Sequence, residues 1–293
     1  MVRSRAWLLC LPALALLLVV AFYPLARTWG YSFTDARLGR LDQPAWIGFE
    51  NYAYLFRDPD WWRAVWNTAA FTVLSVTLET LLGLGVALVI NGAGGPARRG
   101  QGAVRAAVLV PWAIPAVVSA RIWAWMFNDI YGVVNELLRR LSLGSGETAW
   151  LADDRLALGV LVLVDAWKTT PFMALLILAG LQSIPKSVFE AAQIDGASPW
   201  RRFRYVTLPL LAPALGVAIL FRMLDALRIF DLPFVLTSAS RATAVVSVYA
   251  RQQMVDFQDV GYGSAASVVI FVATALIALV YLASAQKSLG LER

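Results

Sequence analysis

The sequence predicts an all-α integral membrane protein that crosses the bilayer six times. Three observations predict it: a composition too apolar for a soluble chain, six apolar runs of spanning length, and short basic segments between them. Of the 293 residues, 59% are hydrophobic and only 15% charged, whereas a soluble domain carries about 25% charged residues. Spans of about 20 residues with short loops use up this length as one membrane domain over residues 1–293. The net charge of +6 is scattered between apolar runs rather than clustered on a polar face. It therefore speaks for orientation in a membrane and not for nucleic acid.

Membrane helices are expected at 7–30, 66–91, 104–127, 156–181, 208–230 and 264–285. The first follows Arg3 and Arg5. Its apolar stretch from Trp7 to Ala26 exceeds the roughly 7–15 residues of a signal-peptide core, so an uncleaved helix is expected. Tyr23, Trp29 and Tyr31 then fall where an outer aromatic belt belongs. The 92–105 segment is short and purely basic through Arg98, Arg99 and Arg105, and Arg201, Arg202 and Arg204 crowd the segment before the fifth helix. Lysine and arginine accumulate on the cytoplasmic side, which puts both termini inside.

Several chemistries are excluded by residue type. There is no histidine, which removes Ser-His-Asp hydrolysis, His-containing zinc sites and histidine proton relays. The single Cys10 lies in the first apolar run, so no intrachain disulfide exists. A phosphate-binding Walker loop needs a lysine after its second glycine. The nearest spacing here, Gly95 to Gly100, is followed by Gln101.

The segment from Leu181 to Pro213 reads as two short helices joined by a sharp turn. Pro185 suits a first helical turn, and Lys186 to Ile194 contain no breaker. Asp195-Gly196 ends that helix, glycine being free to adopt the left-handed conformation. Ser198 offers an N-cap and Pro199 the first position of the next helix, with Trp200 and Phe203 on one face. Leu208-Pro209 begins the return into the membrane. On these grounds alone the segment is equally an amphipathic connector resting on the inner leaflet.

The residues themselves narrow the choice. Glu190-Ala191-Ala192, Asp195, Gly196 and Leu208-Pro209 resemble the EAA loop of ABC importer permeases. Trp167-Lys168-Thr169-Thr170-Pro171-Phe172, Leu178-Ala179-Gly180-Leu181, Asn67-Thr68, Pro111-Trp112 with Pro115, Gly132 with Asn135, and Gly261-Tyr262-Gly263-Ser264-Ala265 are similar to the carbohydrate branch. One departure is the outer loop after the fifth helix, where Ser238-Ala239-Ser240 stand instead of Gly-Gly-Pro. The resemblance implies a sugar permease whose coupling-helix pair, between spans four and five, docks into a partner ATPase through Glu190, Ala191, Ala192, Asp195, Gly196, Leu208 and Pro209. It also implies a second, related permease, two ATPase subunits that bind ATP and Mg, an extracytoplasmic sugar-binding protein, and no cofactor or metal in this chain. A secondary transporter, or a permease for a solute such as glycerol-phosphate, is the alternative. Nothing in the sequence resembles an internal repeat or a selectivity filter.

Charges inside spans cost about 2.5–3.5 kcal/mol each at the bilayer centre, so each marks a potential site. Asp165 and Lys168 stand three apart, at pairing distance on one helix. Glu79 and Arg121 are expected to bond between helices. Arg222, Asp225, Arg228 and Asp231 recur every third residue with alternating sign, with Phe221, Phe230 and Phe234 beside them. This stripe either lines the sugar path, where rings and hydrogen bonds hold sugars, or caps the helix and seals the outer gate. The stretch 220–231 resembles trehalose/maltose permeases.

Overall fold

The computed structural model describes residues 2–92, 101–143, 146–238 and 240–288. Arg98, Arg99, the Gly95–Gly100 spacing, Ala239 and Arg293 lie outside the described residues. Among the described residues every regular element is a helix, and β-pairing is confined to isolated bridges. Among the described residues, five helices are long and apolar enough to cross a membrane: Cys10–Tyr31, Pro59–Asn91, Ala157–Ser183, Pro199–Ala226 and Val260–Ser284. They are spans one, two, four, five and six below. Where a third span was expected stands the pair Ala106–Ala113 and Ala116–Met126, bent by 89° at the break, which makes six spans if the pair is one; it is called span three below.

Span two begins at Pro59 rather than 66 and the helix of span five at Pro199 rather than 208; two further departures, a break and an early end, fall at prolines. The expected 104–127 helix breaks because a helical Pro115 would drive its ring into the carbonyl of Pro111, and Ile114, preceding proline, disfavours the α conformation. Span five, expected to reach residue 230, stops at Ala226. Pro233 would clash with the carbonyl of Ile229 in a continued helix, so the chain turns and restarts as Asp231–Leu236. Arg228 and Asp231 therefore do not share a helix face with Arg222 and Asp225. The evenly spaced stripe expected from the sequence does not exist.

The chain divides into two compact units, residues 1–64 with 246–273, and 65–245 with 274–293. In the first, span one is exposed along its length. After it the chain folds into a small aromatic cluster: Phe33 stacks on Trp46 at 5.3 Å and meets the Phe49 ring edge-on at 5.2 Å. Buried Asn51 holds this segment by donating to the carbonyls of Ser32 at 3.0 Å and Thr34 at 2.9 Å. Gly261 is required here, because a Cβ would stand 2.1 Å from the Thr34 carbonyl oxygen. Tyr249 donates to Asp58 at 2.5 Å. Burial and that bond hold its phenol well above the usual tyrosine range.

In the second unit span four is the central pillar. Its Leu161 and Val164 pack with Phe71, Phe127 and Leu232 in one apolar cluster. Its Met173, Ile177 and Leu181 pack with Ala87 and Leu211 in another. The hydrophobic effect does not drive helices together in lipid, so close packing and polar bonds between spans must supply specificity. Tyr281 donates to the carbonyl of Gly216 as one such bond.

A buried charge node beside a cavity

Span five carries Arg222 into the interior of the second unit, where it is 3% exposed. Its Nε donates to Glu79 Oε2 at 2.5 Å and its Nη2 to Glu79 Oε1 at 2.8 Å. This is the fork geometry in which arginine holds a carboxylate most strongly. Nη2 also reaches Asp165 Oδ2 at 3.1 Å, and Nη1 bonds Asp225. Two hydroxyls complete the node. Ser75 Oγ lies 2.8 Å from Glu79 and 2.6 Å from Asp165, and Thr169 Oγ1 donates to Glu79 at 2.6 Å. Spans two, four and five are thus tied by one guanidinium.

Glu79 bonds between helices, as expected. The expected Asp165–Lys168 pair is not made. Asp165 faces Arg222, and the Lys168 Nζ donates instead to the carbonyls of Trp112 at 3.3 Å and Ile114 at 2.6 Å. Arg121 has no interhelical bond among the described residues and is exposed. Ser75 went unremarked in the sequence and Thr169 entered only as part of the Trp167–Phe172 motif, although hydroxyls one turn from an intramembrane carboxylate are the signal that finds them.

Next to the node lies a cavity of about 240 Å³ lined by Asp165, Lys168, Thr169, Arg222, Asp225, Arg228, Phe230 and Asp231, with Ala116 from the span-three break. The span-five residues singled out in the sequence do converge here, by way of the turn after Ala226 rather than a helical stripe. Phe221, 59% exposed, and Phe234 are absent from the lining. Asp225 is exposed, and Arg228 donates its Nε to the Leu224 carbonyl at 3.1 Å. The Phe230 and Phe234 rings stack at 5.2 Å.

The Leu181–Pro213 loop has the expected caps. The helix Lys186–Ile194 ends at Gly196, whose φ is +71°. The Gly196 N–H donates to Gln193 and that of Ala197 to Ala192, each at 3.0 Å. Ser198 accepts from the Arg201 N–H at 3.4 Å. Beyond it the second helix does not stop before Leu208-Pro209 but runs into span five through a π-helical turn, Phe203–Thr207. That wider turn admits Pro209, which a regular helix would set against the Tyr205 carbonyl. Glu190 and Ala191 are exposed, as are Ile194 at 87% and Trp200 at 69%.

Residues 79–288 match the family of binding-protein-dependent transport system inner membrane components. The chain belongs to this family. Glu79, Asp165 and Arg222 all fall within the matched region. The permease is 42% identical over 96% of its length to the sulfoquinovosyl glycerol transport system permease protein SmoG of Agrobacterium fabrum, covering 90% of that protein. It is 41% identical over 94% of its length to the trehalose/maltose transport system permease protein MalF of Thermococcus litoralis, covering 92% of it. A bacterial ABC transporter involved in import of the acidic polysaccharide alginate superposes with a TM-score of 0.82 at 26% identity, over 97% of this chain and 96% of that one. The permease is accordingly a multi-pass inner-membrane subunit and not an enzyme. A second permease, separate ATPase subunits and a binding protein are its partners.

Proposed function

We propose that this permease passes a neutral disaccharide of the trehalose or maltose type, delivered by its binding protein. The observation that carries this reading is the commitment of charge in the cavity. Arg222 spends its donors on Glu79, Asp165 and Asp225, and Lys168 spends its ammonium on two carbonyls. A sulfonate or uronate would need an open cation, and the exposed Arg228 stands in a lining with Asp225 and Asp231, whose carboxylates would repel an anion. Neutral hydroxyls can donate to those carboxylates while the apolar face of a sugar stacks on Phe230. The volume of about 240 Å³ is below the roughly 300 Å³ of the smallest common ligand pockets, so the second permease supplies the remaining wall. The named relatives support a sugar but divide between neutral and anionic ones.

On this reading the chain is one permease domain with both termini cytoplasmic. Glu190, Ala191, Ala192, Asp195 and Gly196, with Leu208 and Pro209 at the return, form the element that docks on an ATPase subunit. ATP and Mg bind to those ATPase subunits. The exposed apolar Ile194 and Trp200 beside this element fit a surface covered by another protein. Uptake of labelled trehalose by cells carrying the complete transporter tests the substrate. Competition by unlabelled trehalose or maltose is expected, and none by sulfoquinovosyl glycerol. No trehalose uptake, with labelled sulfoquinovosyl glycerol taken up instead, would overturn the neutral-sugar reading.

A further inference from the structure

A break in a membrane helix leaves backbone carbonyls without their helical donors, and these must be satisfied inside the protein. The break in span three does this beside the cavity, since Ala116, the first residue after it, is part of the lining. Pro115 brings no N–H, and the carbonyls of Trp112 and Ile114 accept from the Lys168 ammonium at 3.3 and 2.6 Å. The lysine does so although carboxylates are at hand, one turn away at Asp165 and across the cavity at Asp225. Both of these are bonded to Arg222. Ring contacts fix the same two spans on either side: Trp112 stacks on Phe172 at 5.5 Å, and Trp123 meets Trp167 edge-on at 5.4 Å.

Carbonyls freed at broken helices are the ligands of coupling cations in ion-driven transporters. Here a cation is present that cannot dissociate. Lysine suits the place, being a compact charge with three donors on a flexible stem, able to serve two carbonyls at once. We infer that Lys168 is a positioning residue for transport, the built-in cation of the span-three break that holds the Ala116 wall of the cavity. Its effect on sugar rests on the reading of that cavity as the sugar path, whereas its effect on the bend does not.

Two readouts on the complete transporter in nanodiscs, with Cys10→Ser as background, separate these. The first is the distance distribution between spin labels at the exposed positions Val110 and Val118, one on each side of the break. The second is the apparent KM for sugar-stimulated ATP hydrolysis. Lys168→Met is expected to shift or broaden the distances and to raise the apparent KM about tenfold, the scale of losing a charge-assisted hydrogen bond. Lys168→Cys treated with 2-bromoethylamine, which rebuilds an ammonium of lysine length, is expected to regain the wild-type KM. Unchanged distances overturn the assignment whether or not the KM moves, because a moved KM would then mean direct sugar contact. Altered distances with an unchanged KM uphold the assignment and overturn the cavity as the sugar path. If Lys168→Met does not assemble, Lys168→Arg decides: assembly with wild-type distances upholds the cation, and failure of both variants overturns it.

Discussion

Arg222 on span five grips the carboxylate of Glu79 on span two through two parallel bonds, across 143 positions of sequence. Glu79 is fully buried and Asp165, on the same guanidinium, nearly so. Removing one partner of a buried pair typically costs about 3–5 kcal/mol, mostly because the other charge is left uncompensated. Arg222→Met strands two buried carboxylates, whereas Glu79→Gln leaves Asp165 to neutralise the arginine. The expected order of thermal stability for the purified complex is wild type, then Glu79→Gln, then Arg222→Met. Equal midpoints for all three would remove the node as a structural tie.

Asp225 belongs to the same arginine but stands in a different place. Its side chain is 73% exposed, and Arg222 keeps Glu79 and Asp165 without it. Asp225→Ala is therefore expected to cost no more than about 1 kcal/mol of stability. If it lines the sugar path, it changes the apparent affinity or the choice between trehalose and maltose while basal ATP hydrolysis stays level. If it seals the outer gate, basal hydrolysis changes and selectivity does not. Phe230→Ala checks the same wall without altering charge. Unchanged uptake in both variants would move the sugar path elsewhere.

Coupling to the ATPase is expected to fail at the turn between the two loop helices. Gly196 has φ of +71°, a value closed to proline. Gly196→Pro should thus misplace the second helix, and Glu190→Lys should reverse the charge on the exposed face proposed to dock. Both variants are expected in the membrane at normal levels, with sugar-stimulated ATP hydrolysis lost in the reconstituted complex. Wild-type stimulation in Glu190→Lys would sink the docking assignment.

What was legible in the sequence was local. The ends of the loop helices follow from Gly196 and Ser198, because capping is settled by residues within a turn of each other. The prolines at the breaks, Pro115 and Pro233, were also written there, but Pro171 and Pro213 stay inside continuous helices, so proline alone does not mark a break. Pro115 and Pro233 were overridden by hydropathy, which registers apolar length and is blind to a missing N–H. The charge node was not legible, since nothing local links Glu79 to Arg222. Asp165 and Lys168 were misread for the same reason. Their spacing permits a pair, but a guanidinium from another span and two unpaired carbonyls offered each a better partner. The Gly261 motif showed a constraint without its cause, which is the Thr34 carbonyl lying 2.1 Å from where a Cβ would stand.

Orientation is tested by single cysteines in the Cys10→Ser background. Ser142 follows the short helix Val133–Arg140 after span three, and Ser187 lies in the first loop helix after span four. Both positions are exposed, and span four alone separates the segments that carry them. An impermeant maleimide added to intact spheroplasts is expected to label Ser142→Cys and spare Ser187→Cys until the membrane is opened. The expectation rests on Arg201, Arg202 and Arg204 near Ser187, since lysine and arginine accumulate on the cytoplasmic side. The reverse pattern would put the loop helices outside, where no ATPase subunit could reach Glu190, and both the orientation and the docking element would fall together.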